Sequence, residues 1–495
     1  MNNNTIKNVI ILGGGTAGWM TASLMIKVLG KNIGITLVES DKIGTVGVGE
    51  ATIPPIINFN QALGLDEKEF LRETKGTIKL GIQFENWFRQ GQSYMHAFGT
   101  IGKNFPFCDF HHFWVRDRLK GGDTDYWDFS LNYQAAINNK FAPLPQIKGT
   151  NLQGLSYAYH FDAGLYAQYL RKYSESKGVK RVEGTVKEVK LCPDSGEVQE
   201  LLLESGKVIN GDLFVDCTGL AALLIEKALG TGFEDWSHWL PCDRAIAVPS
   251  TGSKPIVPYT RSIAHECGWQ WRIPLQHRTG NGIVYSSRHW TDEQAQGVLM
   301  NNLDGEALAE PRVIRFRTGR RRKQWHKNVV SIGLSSGFLE PLESTSIHLI
   351  QSAATRLIKS FPHQGIKPEE VAEFNRQSQV EFERIRDFII LHYKANQRRD
   401  SDFWRECENR DVPETLQRKM ELFRRTGKVF RDYDDLFTEV AWQQVLIGQG
   451  VVPEDYHTIA DGLSDAQLAD LFKSLKTLID GTVKGLPEHE QFLKM

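Results

Sequence analysis

The sequence lacks the closely spaced cysteines that would indicate a disulfide scaffold or a zinc centre. Its six cysteines are far apart along the chain and form no C-x-x-C pair: Cys108, Cys192, Cys217, Cys242, Cys267 and Cys407. Small secreted domains and structural zinc sites depend on such pairs. The cysteine pattern therefore favours a reducing compartment and predicts no metal site.

The sequence also lacks an excess of charge of one sign. Its 59 basic and 60 acidic residues leave a formal net charge of −1, so no broad field would steer the chain towards nucleic acid or an anionic membrane. The longest basic run, RFRTGRRRK at 315–323, is interpreted as a solvated strand edge or a loop beside a cofactor. We therefore expect a small-molecule partner and no nucleic acid.

Long apolar runs are missing as well. The first residues, MNNNTIKNVIILGGG, contain a short apolar run without the longer apolar core and cleavage site of a signal peptide. No stretch approaches the roughly 20 apolar residues that cross a bilayer. We expect a cytoplasmic protein with no membrane segment, and 495 residues that are 41% hydrophobic suffice for two or three domains.

The first 39 residues instead carry a β-α-β pattern. An apolar strand at 9–12, a glycine loop at 13–18, a helix at 19–28 and a strand at 33–38 precede Glu39. Gly13, Gly15 and Gly18 satisfy G-x-G-x-x-G in the strand-loop-helix context that a dinucleotide site requires.

Each glycine of this loop has a distinct physical role in that interpretation. Gly13 allows the tight turn, Gly15 lets a pyrophosphate approach the backbone, and Gly18 lets helix and strand pack closely. The N–H groups at the start of the helix would face the phosphates, Thr16 and Ala17 of the loop are expected to bind the cofactor, and Glu39 would accept a hydrogen bond from a ribose hydroxyl. The alternative is a purely structural glycine turn.

The remainder of the chain separates into a strand-rich and a helix-rich part. Strands predominate at 180–287, with a hairpin at 186–206 and a strand entering a glycine turn at 211–219. Helical periodicity follows residue 351, as in 369–393, where Val371, Phe374, Val380, Ile385 and Ile389 share a face. We predict an α/β fold with a nucleotide-binding domain at 1–350, interrupted by insertions, and a mostly helical region at 351–495.

Three further segments carry residues of chemical interest. In 76–87, strand alternation would direct Lys79 away from the apolar side, and the plain alternative is a solvated surface charge. In 335–358, Ser344, Thr345 and Ser346 would cap a helix whose free N–H groups can hold an anion, with Glu343 beside it. In GWQWRIP at 268–274, the side chains of Trp269, Trp271 and Ile273 would lie on one face of a strand and form a flat wall. The plain alternative is that they pack in an ordinary core.

Taken together, seven motifs resemble the flavin-dependent tryptophan halogenase family over nearly the whole chain. They are GGGTAGW (13–19), GVGEATIP (47–54), TIKLGIQFENW (77–87), YHFDAGLYAQYL (159–170), WQWRIP (269–274), FLEPLESTSIH (338–348), and DFIILHY (387–393) with FW at 403–404. The tryptophan motif and the lysine segment are the most specific of these. The glycine loop is shared with many flavoproteins.

The resemblance implies a Rossmann-like FAD-binding domain of the flavin monooxygenase type and a two-component enzyme. A separate flavin reductase would supply FADH2, and FADH2 with O2 would oxidise a bound chloride or bromide to hypohalous acid. That acid would travel through a tunnel to Lys79, assisted by Glu343, and halogenate a small aromatic substrate by electrophilic substitution. The single nucleotide loop agrees with an external reductase, although aromatic hydroxylases use NADPH without a second loop.

The resemblance also implies roles for further residues. The halide would bind at Thr345 and Ser346, and Trp269, Trp271, Ile273 and Pro274 would separate substrate from flavin, while His96 and Phe98 would contact the substrate. The implied FAD-binding residues are those of the glycine loop, Glu39 and six others: Val48, Gly49, Ala51, Val186, Gly333 and Leu334.

Two departures from the family pattern bear on specificity. Ser346 replaces a common glycine and crowds the halide site, which affects halide preference. The tyrosine-rich segment that clamps free tryptophan is not found after GQGVVPEDYHTIADGLSD at 448–465, so indole or another electron-rich arene is also a candidate substrate. An FAD-dependent aromatic hydroxylase and a non-enzymatic flavin-binding protein remain alternative functions, and monomer and homodimer both remain possible.

Overall fold

A computed structural model describes residues 5–43 and 49–494 of the chain. The strands are β1 (Asn8–Leu12), β2 (Gly34–Glu39), β3 (Glu50–Ala51), β4 (Thr77–Lys79), β5 (Gly81–Glu85), β6 (Ser93–Ala97), β7 (Ala158–Phe161), β8 (Lys180–Glu183), β9 (Val186–Leu191), β10 (Val198–Leu203), β11 (Val208–Asn210), β12 (Leu213–Asp216), β13 (Phe233–Asp235), β14 (Arg244–Ser250), β15 (Thr260–His265), β16 (Gly268–Pro274), β17 (Thr279–Tyr285), β18 (Arg312–Arg315), β19 (Gly319–Arg321), β20 (Trp325–His326), β21 (Val329–Ser331) and β22 (Gly337–Phe338).

Fourteen α-helices lie among the described residues. They are α1 (Thr16–Leu29), α2 (Pro55–Leu63), α3 (Glu67–Glu73), α4 (Phe110–Leu119), α5 (Leu131–Ile137), α6 (Ala163–Ser176), α7 (Asp292–Asn301), α8 (Ser346–Lys359), α9 (Pro368–Lys394), α10 (Asp402–Asn409), α11 (Glu414–Thr426), α12 (Glu439–Gly448), α13 (Asp465–Lys484) and α14 (His489–Leu493). Within the described ranges, none of these helices combines the length and the apolar character that crossing a bilayer requires.

The chain divides into two compact units, each built from three separate segments. Unit 1 comprises Met1–Gly76, Phe161–His238 and Arg315–Glu383, and unit 2 comprises Thr77–His160, Trp239–Ile314 and Arg384–Met495. The units are therefore interleaved along the chain, which differs from the expected division at residue 350. The hydrophobic pattern changes to a helical period near that residue, but the last exchange between units falls inside α9, where the continuous helical period conceals it.

The centre of unit 1 is a six-stranded sheet in the order β20-β21-β12-β1-β2-β8. β1 lies parallel to both β2 and β12, β12 lies parallel to β21, and β2 lies parallel to β8. This is the doubly wound arrangement in which ligands bind at the carboxyl ends of the strands. The predicted β-α-β opening and the α/β fold class are confirmed, with α1 beginning three residues earlier than expected.

A smaller sheet of β9, β10 and β11 covers one side of the apolar core of unit 1. The predicted hairpin at 186–206 is confirmed, since β9 and β10 pair antiparallel. Ile10, Leu12, Val38 and Phe214 of the central sheet pack in one cluster with residues of this hairpin. The cluster holds the carboxyl ends of β1 and β2 in fixed positions.

The basic run at 315–323 is solvated in part, as predicted, because Arg315, Arg317, Arg322 and Lys323 are exposed. β19 within it is buried, and it pairs with β13 and β22. Arg320 Nη2 lies 2.7 Å from Glu234 Oε2, and Arg321 Nη1 lies 3.0 Å from Glu226 Oε2. Carboxylates of unit 1 therefore compensate the charges of these two arginines.

The main sheet of unit 2 has seven strands in the order β18-β14-β17-β16-β15-β5-β6. β16 lies between β15 and β17, and its partners in register include Ala264 and Val284 for Trp269. Because β5 pairs parallel with β15 and antiparallel with β6, the segment after Lys79 is fixed from both sides. A separate antiparallel pair joins β4 to β7.

Helices follow residue 351, as predicted, and α9 illustrates how far a periodic pattern defines a face. Phe374, Ile385 and Ile389 are buried, which confirms those members of the predicted face. Val371 and Val380 are only half-buried, and Ser378 and Phe382 occupy the buried side instead. Phe374, Ser378 and Phe382 are spaced four residues apart, and this spacing places the polar Ser378 on the buried side of α9.

Candidate active site

The glycine loop of unit 1 has the geometry of a dinucleotide cradle. Gly13 adopts φ +114°, and a Cβ there would overlap the carbonyl oxygen of Cys217, while a Cβ at Gly18 would overlap that of Gly13. A Cβ at Gly15, in contrast, would meet no atom within 4 Å. α1 begins at Thr16 with no side-chain cap hydrogen bond, so the loop leaves room and N–H donors for a phosphate.

Glu39 at the end of β2 lies directly over this loop. A Cβ on Gly14 would overlap the carboxylate of Glu39. Glu39 Oε1 accepts from Arg181 Nε at 2.5 Å, and its Oε2 accepts from Trp19 Nε1 at 3.4 Å. With these two donors bound, the side chain of Glu39 is still 14% exposed. Its carboxylate can therefore accept a further hydrogen bond from a hydroxyl group.

Gly333 brings a second loop against the first turn of α1. It has φ +79°, and a Cβ there would lie 2.8 Å from Ala17 Cβ. Ile332 N donates to Asp216 O at 3.0 Å, which ties the loop to the end of β12. Leu334, next in the chain, is exposed. Val186, another predicted FAD-binding residue, lies apart from this loop at the start of β9 and packs on the apolar core.

The predicted FAD-binding residues near 50 are only partly described. Val48 lies outside the described residues, whereas Gly49 adopts φ +100° and Ala51 is buried in β3. Between them, burial and the charge of Asp162 raise the pKa of Glu50 to about 7. A carboxyl that titrates near neutral pH is typical of functional sites.

The segment expected to bind halide forms a tight double turn before α8. Pro341–Glu343 make one turn of 3-10 helix, Ser344 follows in the left-handed region with φ +58°, and α8 begins at Ser346. Thr345 precedes α8 without making a side-chain cap hydrogen bond, so the prediction of a hydroxyl cap at this residue is wrong. Glu343 and Thr345 are each 1% exposed.

Lys79 of unit 2 is completely buried, which excludes the surface-charge alternative. Its side chain is 0% exposed, and its Nζ lies 5.4 Å from the ring centroid of Phe98. The expected single strand at 76–87 is broken at Leu80, whose N–H donates to Pro258 O and whose carbonyl accepts from Phe98 N. The break lets β4 leave the sheet of β5, and this change of sheet is why alternation did not predict the burial of Lys79.

Two buried histidines accompany the lysine strand, and both are neutral near pH 7. Burial, then the charge of Lys79, holds the pKa of His160 well below its usual range. His489 Nε2 accepts from Ile78 N at 3.2 Å, and burial lowers the pKa of this histidine to about 4. Neither histidine therefore adds a positive charge beside Lys79.

A hydroxyl connects the lysine strand to the tryptophan strand. Thr77 Oγ1 donates to Pro274 O at 2.7 Å and lies 3.0 Å from His160 Nδ1. His160 Nε2 lies 2.9 Å from Thr260 Oγ1 on β15. This buried chain of hydrogen bonds fixes the end of β16 relative to β4.

The two tryptophans of β16 share a face, as predicted. Their ring centroids are 6.1 Å apart, and Trp269 is 1% and Trp271 8% exposed. A Cβ on Gly282 of β17 would overlap the ring of Trp271, so a missing side chain on the neighbouring strand makes the space for it. Ile273 continues this face.

Pro274 faces the other side of β16, together with Arg272. Both line a cavity of about 490 Å³ whose wall also includes Glu85, Arg261 and Asp304. Arg261 Nε lies 2.6 Å from Glu85 Oε1, and Arg272 Nη1 lies 2.5 Å from Asp304 Oδ1. Pro274 is thus separated from the tryptophan face because side chains alternate along a strand, and the charges of this cavity neutralise one another.

His96, one of the two predicted substrate contacts, lies in an aromatic cluster of unit 2, whereas Phe98 lies beside Lys79. His96 is 5% exposed, and its ring centroid lies 5.6 Å from that of Phe388. Phe388 stacks on Phe437 at 3.8 Å and meets Trp442 edge-on at 4.8 Å. Sequence analysis did not assign Phe388, Phe437 or Trp442, because they come from two helices and a loop far from His96 in the chain.

Comparisons with known proteins agree over the whole length of the chain. The family model described as "Tryptophan halogenase" matches residues 8–465. The chain belongs to the tryptophan halogenase family. Tryptophan 6-halogenase SttH of Streptomyces toxytricini is 37% identical over 484 residues, covering 91% of each chain.

Solved structures of the family superpose closely on this halogenase. Xcc4156, a flavin-dependent halogenase from Xanthomonas campestris, has a TM-score of 0.96 and 48% identity, covering 99% of this chain and 98% of its own. BrvH, a flavin-dependent halogenase from Brevundimonas sp. BAL3, has a TM-score of 0.96 and 44% identity, covering 99% of both chains. The predicted family, fold class and enzyme class are confirmed: the chain is a flavin-dependent halogenase.

An arginine and a histidine near these segments of the halogenase escaped the sequence analysis. Arg181 of β8 binds Glu39. It lies in register with Leu37 of the neighbouring strand β2, a pairing that no sequence motif indicates. His348, in the first turn of α8, lies 3.3 Å from Glu381 Oε1 of α9. Its sequence signal is helical spacing with Ser352 and Arg356 on one side of α8.

Proposed function

We propose that this halogenase uses FADH2 and O2 to convert a halide into hypohalous acid, and that Lys79 directs the halogen onto an indole-like, electron-rich arene. The observation that carries the proposal is the burial of Lys79 beside Phe98 on a strand whose histidines are neutral. A charged amine is costly to bury, and proteins that keep one usually use it.

The residues of the glycine loop would hold the FAD. Gly13, Gly15 and Gly18 form the cradle, the N–H groups of Thr16 and Ala17 would face the pyrophosphate, and Glu39 would accept from a ribose hydroxyl. Gly49, Ala51, Val186, Gly333 and Leu334 are the further proposed FAD-binding residues, together with Val48. When bound, reduced FAD supplies with O2 the two-electron oxidation of the halide.

The halide would bind at Thr345 and Ser346. The absence of a side-chain cap bond from Thr345 supports this role, because uncapped N–H groups at a helix start attract an anion. Ser346 adds a hydroxymethyl group where glycine is common in the family. We expect that group to change the preference between chloride and bromide, because it narrows the space available to the ion.

Lys79 would hold hypohalous acid by a hydrogen bond from its ammonium group. An electron-rich ring carbon attacks the halogen, the halogen–oxygen bond breaks, and the oxygen takes a proton from the Lys79 ammonium group and leaves as water. The ring then gives its proton to the Lys79 amine, which restores both the aromatic ring and the ammonium group. Glu343 is the proposed carboxylate that assists Lys79 in this reaction. Trp269, Trp271 and Ile273 would keep the substrate away from the oxidised flavin, and His96 and Phe98 would contact the ring.

The substrate class follows from the aromatic lining and from the relatives. SttH is named for halogenation of tryptophan at position 6, which supports an indole ring as the group that reacts. The clamp for free tryptophan is not found in this sequence, so we propose indole or a substituted indole as the substrate. A separate flavin reductase would be the partner, and a cytoplasmic location follows the expectation from the sequence.

Replacing Lys79 tests the proposal. The wild-type chain, incubated with FAD, a flavin reductase, NADH, bromide and indole, should give a product with the isotope pattern of one bromine by mass spectrometry. Lys79→Ala should still bind FAD but give less than about 1% of that product. Lys103→Ala is the matched control, because Lys103 is exposed in the same unit.

An unchanged yield from Lys79→Ala would exclude the proposed role of the lysine. A bromide-independent oxygenated product from the wild-type chain would instead indicate an aromatic hydroxylase. A chain that binds FAD but forms neither product would be a non-enzymatic flavin-binding protein.

A further inference from the structure

A polar stripe runs along α8 and converges on one carboxylate of α9. His348, Ser352 and Arg356 are spaced four residues apart and so lie on one side of the helix. His348 Nε2 lies 3.3 Å from Glu381 Oε1, while Ser352 Oγ and Arg356 Nη2 each lie 2.8 Å from Glu381 Oε2. Both oxygens of Glu381 are thus bound to α8.

A second contact extends this stripe along α9. Arg356 Nη1 donates to Ser378 Oγ at 2.7 Å, and the guanidinium carbon of Arg356 lies 5.4 Å from the ring centroid of Phe374. Ser378 and Phe374 precede Glu381 by one and two turns. The stripe therefore fixes α8 against three successive turns of α9.

His348 is the member of the stripe that acts on the first turn of α8. The helix begins at Ser346 after the left-handed residue Ser344, so His348 is its third residue. The backbone N–H groups proposed to bind halide belong to this same turn. A side chain that is anchored here restrains the direction of those N–H groups.

Glu381 is a persistent anchor for the histidine. Burial alone would raise the pKa of this carboxyl, but the hydrogen bond from His348 and the charge of Arg356 outweigh burial and lower the pKa to about 2. The carboxylate is therefore ionised at any working pH. His348 Nε2 can donate to it in the neutral and the protonated state of the ring.

Charges on the elements packed against α8 do not compete with this anchor. α2 contains no titratable residue and α1 contains only Lys27, in its last turn. The loop Gly333–Ser335 is also uncharged. Within residues 5–43 and 49–494, the charged group recorded in contact with His348 is Glu381, which Arg356 also binds.

We propose that His348 is a positioning residue for the halide: by donating to Glu381, it holds the backbone N–H groups of Thr345 and Ser346 in the arrangement that binds the anion. The inference rests on the proposed function, since it assigns a further residue to the same halide site. It assigns no contact between His348 and the halide.

The test separates halide binding from turnover. His348→Phe removes the donor, His348→Gln retains one, and His363→Phe is the matched control because His363 is exposed in the same unit. We expect His348→Phe to raise the KM for bromide about tenfold, the usual effect of losing a hydrogen bond to a charged group. The KM for indole and the kcat at saturating bromide should change less than about twofold, and His348→Gln should lie between the wild type and His348→Phe.

Chlorine-35 NMR line broadening of chloride by the FAD-loaded chain, with neither substrate nor reductase present, gives a second measurement. In the wild type, added bromide should remove the part of the chloride line broadening that comes from the halide site. His348→Phe should lose most of this part over about pH 6 to 9, whereas His363→Phe should keep it. An unchanged KM for bromide with unchanged broadening in His348→Phe would overturn the proposal, as would a fall in kcat alone. Wild-type chain that broadens the line but makes no brominated product would refute the proposed function and leave the role of His348 measurable.

Discussion

Lys79 shows how a single residue can be selected for chemistry against stability. Its side chain is fully buried, and the desolvation of a buried ammonium group commonly exceeds what its partners return. A methionine has nearly the same length and no charge. We therefore expect Lys79→Met to abolish halogenation while raising the free energy of unfolding by about 1 kcal/mol.

Urea denaturation followed by tryptophan fluorescence measures this difference. Lys103→Met, at an exposed lysine, provides the control for a general effect of removing a positive charge. A loss of more than about 1 kcal/mol in Lys79→Met would mean that the ammonium group stabilises the native fold, and the burial of Lys79 would then be no sign of function.

The glycine loop and Lys79 differ in how much of their environment is local. The close approach of Gly18 to Gly13 follows from residues within one β-α-β unit, and the sequence was enough to predict it. The space around Gly13 is also limited by Cys217, which is distant in the chain. The burial of Lys79 depends on a break at Leu80 that is held by Pro258 and Phe98. Strand alternation contains no information about such distant partners.

At the scale of elements, the pairing of α8 with α9 depends on an ionised carboxylate. The folded-state pKa of Glu381, about 2, lies below the ordinary value of 4.5. The corresponding stabilisation is therefore complete above the unfolded pKa and is lost as the pH falls through the folded pKa. The shift corresponds to about 3 kcal/mol at neutral pH, of which more than half should be lost by about pH 3.

Glu381→Gln should remove this part of the acid sensitivity. We expect the stability difference between the wild type and Glu381→Gln to shrink as the pH is lowered from about 7 to 3, measured by urea unfolding at each pH. Glu373→Gln on α9 is the control, because Arg376 and Gln377 also lower the pKa of Glu373 to about 2 but its carboxylate is exposed. A difference for Glu381→Gln that stays constant with pH would show that the α8–α9 pairing does not depend on the charge.

Helical periodicity predicted that α9 is a helix, but it did not predict which residues of α8 bind to it. The apolar positions Phe374, Ile385 and Ile389 were sufficient to identify a buried face. Ser378 lies on the same face and binds Arg356, a contact that no pattern within α9 indicates. Polar contacts between helices require both partners, and the two lie 22 residues apart in the chain.

At the scale of the molecule, the two sets of predicted site residues belong to different units. The glycine loop, Glu39, Gly333, Glu343, Thr345 and Ser346 lie in unit 1, whereas Lys79, His96, Phe98, Trp269 and Trp271 lie in unit 2. The motifs identified the residues of both sets. They did not reveal that each unit is assembled from three segments, because exchange between units leaves no change of composition.

This interleaving predicts that the chain cannot be divided at residue 350. A fragment 1–350 would cut α8 after its first turn, deprive unit 1 of residues 351–383 and deprive unit 2 of α10 to α14. We expect this fragment to lose FAD binding and cooperative unfolding, because both cores are left open to water. Fluorescence titration with FAD and a urea unfolding curve provide the measurements, with the full chain as reference. A fragment 1–350 that binds FAD as tightly as the full chain would show that the first 350 residues form an independent domain, as the change to a helical pattern suggests. The three-segment units would then not govern folding.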